Sequence, residues 1–145
     1  MDEITLRLYL AWFQDAELKR RIQPPTQQWF NYVSHTPGIY AWIIYENDLP
    51  VGQLQLDTYT DHTGSVGLVV NPAVWNQGYG QRILEAFFQR VEVACLAQVE
   101  AAIEADNLAS LRCFQKAGFI QDRPEPDEEG FLHFSYRPGA LQNGN

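Results

Sequence analysis

The chain opens on a segment whose hydrophobic pattern fits two periods at once. Ile4, Leu6, Leu8 and Leu10 alternate as in a strand, yet Leu6, Leu10 and Phe13 also share one helical face, so residues 3–10 read equally as strand or helix. From Asp15 to Ile22 the spacing is helical, and Pro24-Pro25 ends it. Thr26 then stands as an N-cap before a second helical stripe of Trp29, Phe30 and Val33. After Pro37-Gly38 the period drops to two. Residues 39–45 and 51–59 predict two strands joined around Asn47-Asp48, with Leu54, Leu56 and Thr58 on one face and Gln53, Gln55, Asp57 and Tyr59 on the other. A third strand over 65–70 ends at Asn71-Pro72, which implies an antiparallel meander.

The second half alternates helix and strand. A helix is expected over about 80–94, burying Ile83, Leu84, Phe87, Phe88 and Val91. Residues 98–105 read as a strand with Val99, Ala101, Ile103 and Ala105 on one face. Asn107 caps a further helix carrying Leu108, Leu111 and Phe114, which Gly118 ends. Two more strands, 119–122 and 131–137, flank an acidic loop. The Gly- and Asn-rich residues 138–145 predict a flexible tail after a single domain of residues 1–137. The whole predicts a mixed α/β sheet covered by helices.

Ten Lys and Arg against eighteen Asp and Glu give a formal charge of -8, which argues against nucleic acid as the main partner. No cation lies between Arg21 and Arg82, while Glu46, Asp48, Asp57 and Asp61 do. Cys95 and Cys113 sit in apolar patterns and read as two buried thiols of a reducing compartment. With no basic leader and no run of 18 apolar residues, the expectation is a cytoplasmic protein without a membrane partner. His35, His62 and His133 have no companions at ligand spacing, so no metal is expected. The run from Asp122 to Glu129 reads as a solvated loop.

The most informative segment runs from Gly67 to Leu84. A buried strand ends at a proline, and a short loop delivers Gln77-Gly78-Tyr79-Gly80-Gln81 to the start of a helix. Glycines admit close approach of the backbone, and free amides at a helix N-terminus suit a pyrophosphate, with Arg82 adding a cation. The dinucleotide fingerprint fails because Ile83 holds its third glycine position, and no Gly-Lys-Ser/Thr of a P-loop is present. Downstream, Asn107, Ser110, Lys116, Gly118 and Phe119 form a second pattern of strand, Asn cap, helix and Gly-Phe turn.

With Val70, Pro72, Gly78 and Gly80, this second pattern resembles the GNAT superfamily of acetyl-CoA-dependent N-acetyltransferases over about residues 37–137. The resemblance implies a single-domain, mostly antiparallel sheet of six to seven strands, flanked by about four helices and splayed into a V between its two central strands. It also implies acetyl-CoA as acyl donor. Leu68, Val69 and Val70 would bond the pantetheine arm. Gln77, Gly78, Tyr79, Gly80 and Gln81 would hold the pyrophosphate, and Asn107 and Ser110 would line the other side. A homodimer is a further implication.

Two positions depart from the family pattern. Trp75 stands where Arg or Gln is usual, as in branches acting on peptide N-termini and aminoglycosides. Phe114 stands where many members carry a Tyr that protonates the departing thiolate. A water or the Ser110 hydroxyl can take that role. The neutral amine must still be generated by a base. Glu104 is the first candidate and Asp57, beside Tyr59, the second. The expected acceptor is a small cationic amine, such as an amino sugar, a polyamine or an aminoglycoside-like compound. The alternatives are a peptide α-amine or lysine, and a non-catalytic acetyl-CoA-binding regulator motivated by Phe114.

Overall fold

The computed structural model describes residues 1–139. The ambiguous opening resolves as helix α1 (Glu3–Ala11), running into a 3-10 turn (Trp12–Gln14). Two things decide it. Asp2 and Thr5 form a reciprocal capping box, and helical geometry brings Tyr9, Trp12 and Phe13 together in the interior, which an alternating strand cannot do. Helices α2 (Ala16–Arg21) and α3 (Gln27–His35) follow, capped by Asp15 and Thr26.

Strands β1 (Ile39–Glu46), β2 (Leu49–Thr58) and β3 (Thr63–Val70) form the expected meander. Asn47 and Asp48, at φ 52° and 65°, supply the left-handed two-residue turn between the first two strands. Helix α4 (Tyr79–Phe87) then leads to the short α5 (Val91–Ala94), and β4 (Gln98–Glu104) pairs parallel with β3. Helix α6 (Leu108–Ala117), β5 (Ile120–Gln121) and β6 (Phe131–Tyr136) complete a six-stranded sheet of order β1-β2-β3-β4-β6-β5.

Three expectations are corrected. The helix expected over 80–94 breaks at Phe88–Arg90, and with α1 this makes six α-helices among the described residues rather than about four. No Gly or Pro forces the break. Extended Arg90 re-phases the chain, so Val93 is fully buried while Val91, expected inside, is 80% exposed. Ala105 lies beyond the end of β4 and is exposed. Cys95 is exposed and only Cys113 lies inside. As for the expected flexible tail, Pro138 is buried, and residues 140–145 fall outside the described residues.

The sheet has two packed faces. Leu54, Leu56, Val66, Val99, Ala101 and Ile103 pack with Ile83, Leu84 and Phe87 of α4 and Phe114 of α6. On the opposite face Tyr9, Trp12, Phe13 and Leu18 cover Val69 and Ile43. β3 and β4 pair only at Thr63–Gln98, Gly64–Val99 and Ser65–Glu100, although both strands continue several residues further. Beyond that point the sheet is split, forming a V.

Candidate functional site

The split carries unsatisfied backbone groups, and the register says which. Tyr59 N–H donates to Thr63 C=O and Asn71 N–H to Val51 C=O, so the hydrogen-bonded pairs of the β2–β3 ladder include 51/71 and 59/63. Alternation makes 53/69, 55/67 and 57/65 the others. Gly67 and Val69 therefore spend their N–H and C=O on β2, while those of Leu68 and Val70 point into the gap. On the facing wall, Ala105 N–H donates to Gly130 C=O, which fixes 101/134 and 103/132 as bonded pairs and turns the backbone of Ala102 toward the gap.

A cavity of about 1310 Å³ occupies this opening and extends over both faces of the sheet. It is lined by Leu68, Val69, Val70, Gly78, Tyr79, Gly80, Gln81, Asn107 and Ser110, and by Asp57 and Glu104. Of the twelve residues singled out from the sequence, Gln77 does not line it and is exposed. The register also divides the first three. Leu68 offers its N–H and C=O and Val70 its N–H, the Val70 C=O being taken by Trp75, whereas the main-chain groups of Val69 belong to the β2 ladder.

At one end of the cavity lies the start of α4. Gly78 is its N-cap at φ 79°, with no side chain bonded to the first turn, so the N–H groups of Tyr79, Gly80 and Gln81 have no intrahelical partner. Trp75 donates its indole N–H to Val70 C=O at 2.9 Å and ties this loop to the end of β3. Gly80 has a different role from Gly78. A Cβ there would lie 2.6 Å from Cys113 Sγ, so it is the packing of α4 on α6 that requires glycine. Burial pushes the Cys113 thiol up to about 11, which keeps it protonated. Arg112 and Lys116 of α6 line the cavity and supply cations. Arg82 turns away instead, pairing with Glu46, to which the Tyr79 hydroxyl also donates at 3.0 Å.

The other face carries carboxylates. Trp29 Nε1 donates to Gln55 Oε1 at 3.0 Å, and Gln55 Nε2 donates to Asp57 Oδ1 at 2.8 Å. An indole can only donate, so it fixes which end of the amide meets Asp57. Glu104 is differently placed. Arg21 of α2 lies 3.4 Å from it, 2.8 Å from Asp106 and 2.9 Å from Glu17, which latches α2 across the end of β4. The stretch after residue 21 is cation-free, but Arg21 itself reaches the cavity.

His133, also in the wall, has a companion that its spacing in the sequence does not show. Its Nε2 lies 2.7 Å from Asp127 Oδ2, while Asp127 Oδ1 accepts the N–H groups of Glu129 and Phe131. These bonds hold the Asp127 carboxyl down at about 2, the Phe131 N–H first and His133 next. The acidic run is thus a structured turn rather than a merely solvated loop. An aspartate bonding its own backbone two and four residues on, before an alternating strand, was the available signal. Phe114 is buried, packing edge-on against Phe119 at 5.0 Å between ring centres, and Ser110 lies one helical turn before it on the cavity side. Among the described residues no helix is long and apolar enough to cross a membrane.

Residues 4–120 match the family model described as the acetyltransferase (GNAT) domain. A Bacillus subtilis (strain 168) protein, described as the uncharacterized N-acetyltransferase YfmK, is 33% identical over 134 residues, spanning 91% of this chain and 90% of its own. The aminoglycoside acetyltransferase AAC(6')-Ib in complex with coenzyme A and kanamycin matches with a TM-score of 0.79 at 17% identity, over 99% of this chain and 95% of that one. A chimera of the Vibrio cholerae spermidine N-acetyltransferase SpeG and hSSAT matches at 0.78 with 11% identity, over 99% and 97%. At those identities the two structures establish likeness of fold.

Proposed function

Because this chain belongs to the GNAT acetyltransferase family, we propose that it moves the acetyl group of acetyl-CoA onto a primary amine of a small cationic molecule, by direct attack of the amine on the thioester. The observation that carries this reading is the split between β3 and β4. It opens onto unpartnered helix amides and two cations on one side, and onto Asp57 and Glu100 on the other. The amides of Tyr79, Gly80 and Gln81, with Arg112 and Lys116, suit the pyrophosphate, and Leu68 and Val70 suit the amide groups of the pantetheine arm. Asn107 and Ser110 complete that wall from α6.

The acceptor arrives as an ammonium and loses two protons overall, one before attack and one as the amide forms. Asp57 is the better placed acceptor of the first, because Gln55 orients its carboxylate and, among the described residues, no cation pairs with it. Glu104 is held by Arg21 and serves first as the anchor of α2. The second proton reaches the departing CoA sulfur, a thiol with an ordinary pKa of about 8.5. Phe114 offers none, which leaves water or the Ser110 hydroxyl to relay it.

A panel of amino sugars, polyamines and peptide amines, followed by release of free CoA thiol, tests the reading. Turnover of small cationic amines with a Michaelis constant that rises with ionic strength is the expected result. Turnover confined to peptides, or to neutral and acidic acceptors, overturns the choice of acceptor. Acetyl-CoA binding with no turnover on any amine overturns the choice of reaction.

A further inference from the structure

Ile43, Gln53 and Val69 stand side by side on β1, β2 and β3, and both aliphatic residues pack under Tyr9, Trp12 and Phe13. The glutamine in that apolar row is only 3% exposed. Its orientation is fixed, because Nε2 donates to Leu54 C=O at 2.8 Å and only the nitrogen end can donate. Among the described residues Oε1 accepts no hydrogen bond, yet no side-chain oxygen sealed from solvent is left without a partner. The oxygen therefore opens on the cavity that Gln53 lines.

Tyr9 repeats the situation from above. Its ring is 4% exposed and held by Trp12, Phe13 and Trp29 at 5.3, 5.2 and 5.8 Å between ring centres. Its hydroxyl has no partner among the described residues, and it lines the same cavity. Tyr9 shares an apolar cluster with Ile43 and Val69, the strand neighbours of Gln53, so an unpartnered hydroxyl and an unpartnered carbonyl oxygen face the same cavity from one cluster, each free to bond a ligand there.

We propose that Tyr9 and Gln53 bind a neutral hydroxyl group of the acceptor, the Tyr9 O–H donating to its oxygen and Gln53 Oε1 accepting its proton. A second ammonium fits less well. The row holds no carboxylate, and Glu104 of β4 is held by Arg21. The inference rests on the acceptor reading above and narrows it to amines that carry a hydroxyl. Asp57 lies four residues from Gln53 along β2, about 13 Å at a strand's rise of roughly 3.3 Å per residue. A hydrogen bond of about 2.8 Å at each end leaves roughly 8 Å between the acceptor's nitrogen and its oxygen. A five-carbon chain spans that.

Three probes that differ only at the far end test the inference: 5-amino-1-pentanol, hexylamine and 1,5-diaminopentane. Their affinities for the CoA-loaded protein, by calorimetry, should favour the amino alcohol by about tenfold over both others. Tyr9→Phe, which keeps the ring stack, should erase that preference and leave hexylamine within twofold, and Gln53→Met should act in the same direction. Equal affinity for the alcohol and the alkylamine overturns the inference, as does strongest binding of the diamine or an equal loss on all three probes in Tyr9→Phe. Because binding needs no turnover, an amino-alcohol preference without acetylation would refute the transfer reading and leave this one standing. Acetylation without the preference would do the reverse.

Discussion

Gly80→Ala tests how the end of the cavity at the start of α4 is built. The added Cβ would sit 2.6 Å from Cys113 Sγ, closer than real contacts allow, and 3.6 Å from Val70 Cγ2. The sulfur is on a short side chain of a packed helix, so relief requires α4 to move off α6. Overpacking of this kind costs about 1–3 kcal/mol. Replacing a helical glycine returns at most about 1 kcal/mol, and less at the second position of α4, so a net loss of about 1–2 kcal/mol is expected. The urea midpoint should fall with the slope unchanged. Cys113→Ala removes the obstructing atom, so the double variant should be more stable than the sum of the single changes by at least 1 kcal/mol. The displaced first turn should also weaken acetyl-CoA binding in Gly80→Ala and recover it in the double variant. Additivity within about 0.5 kcal/mol would refute the reasoning, since it would mean that the two positions do not meet.

Gly78→Asp puts a carboxylate at the mouth of the unpartnered amides and should weaken acetyl-CoA binding at least a hundredfold by calorimetry, with the circular dichroism spectrum unchanged. Asp57→Asn should lower kcat about a hundredfold or more while the acetyl-CoA Michaelis constant holds, and a loss of similar size in Glu104→Gln alone would transfer the proton-accepting role. Arg21→Ala should release α2 and loosen acceptor binding more than acetyl-CoA binding, measured by the two Michaelis constants in one series. Asp127 carries a pH dependence of defined sign. Its carboxyl is held at about 2 in the folded chain against an ordinary 3.8, so its contribution is complete above pH 4 and is lost as pH falls toward 2. Amide signals of residues 127–133 should show that transition, and Asp127→Asn should abolish it.

Much of this architecture is legible in local patterns. The alternation that sets Gln53, Gln55 and Asp57 opposite Leu54 and Leu56 already separates the site face of β2 from its core face, and Thr26 and Asn107 announce their helices. What stays hidden is tertiary. The pattern of residues 4–10 satisfies two periods equally, and the burial of Tyr9 with Trp12 and Phe13 decides between them. The break after Phe87 has no local breaker and follows from which of Val91 and Val93 the core can hold. Glu104 looks like a free carboxylate until Arg21, 83 residues earlier, is brought beside it. The division between Leu68 or Val70 and Val69 depends on the phase of the β2–β3 ladder, which only the 51/71 and 59/63 pairs fix.

That parity gives the most direct test of the central claim, that acetyl-CoA lies along the split edge of β3 with its phosphates at the start of α4. Amide hydrogen exchange would be followed residue by residue with and without acetyl-CoA. Leu68, Val70 and the amides of Tyr79, Gly80 and Gln81 should gain protection, while Gly67 and Val69, already bonded to β2, should change little. Equal protection of Val69 and its two neighbours, or protection that bypasses β3 and α4, would contradict that claim.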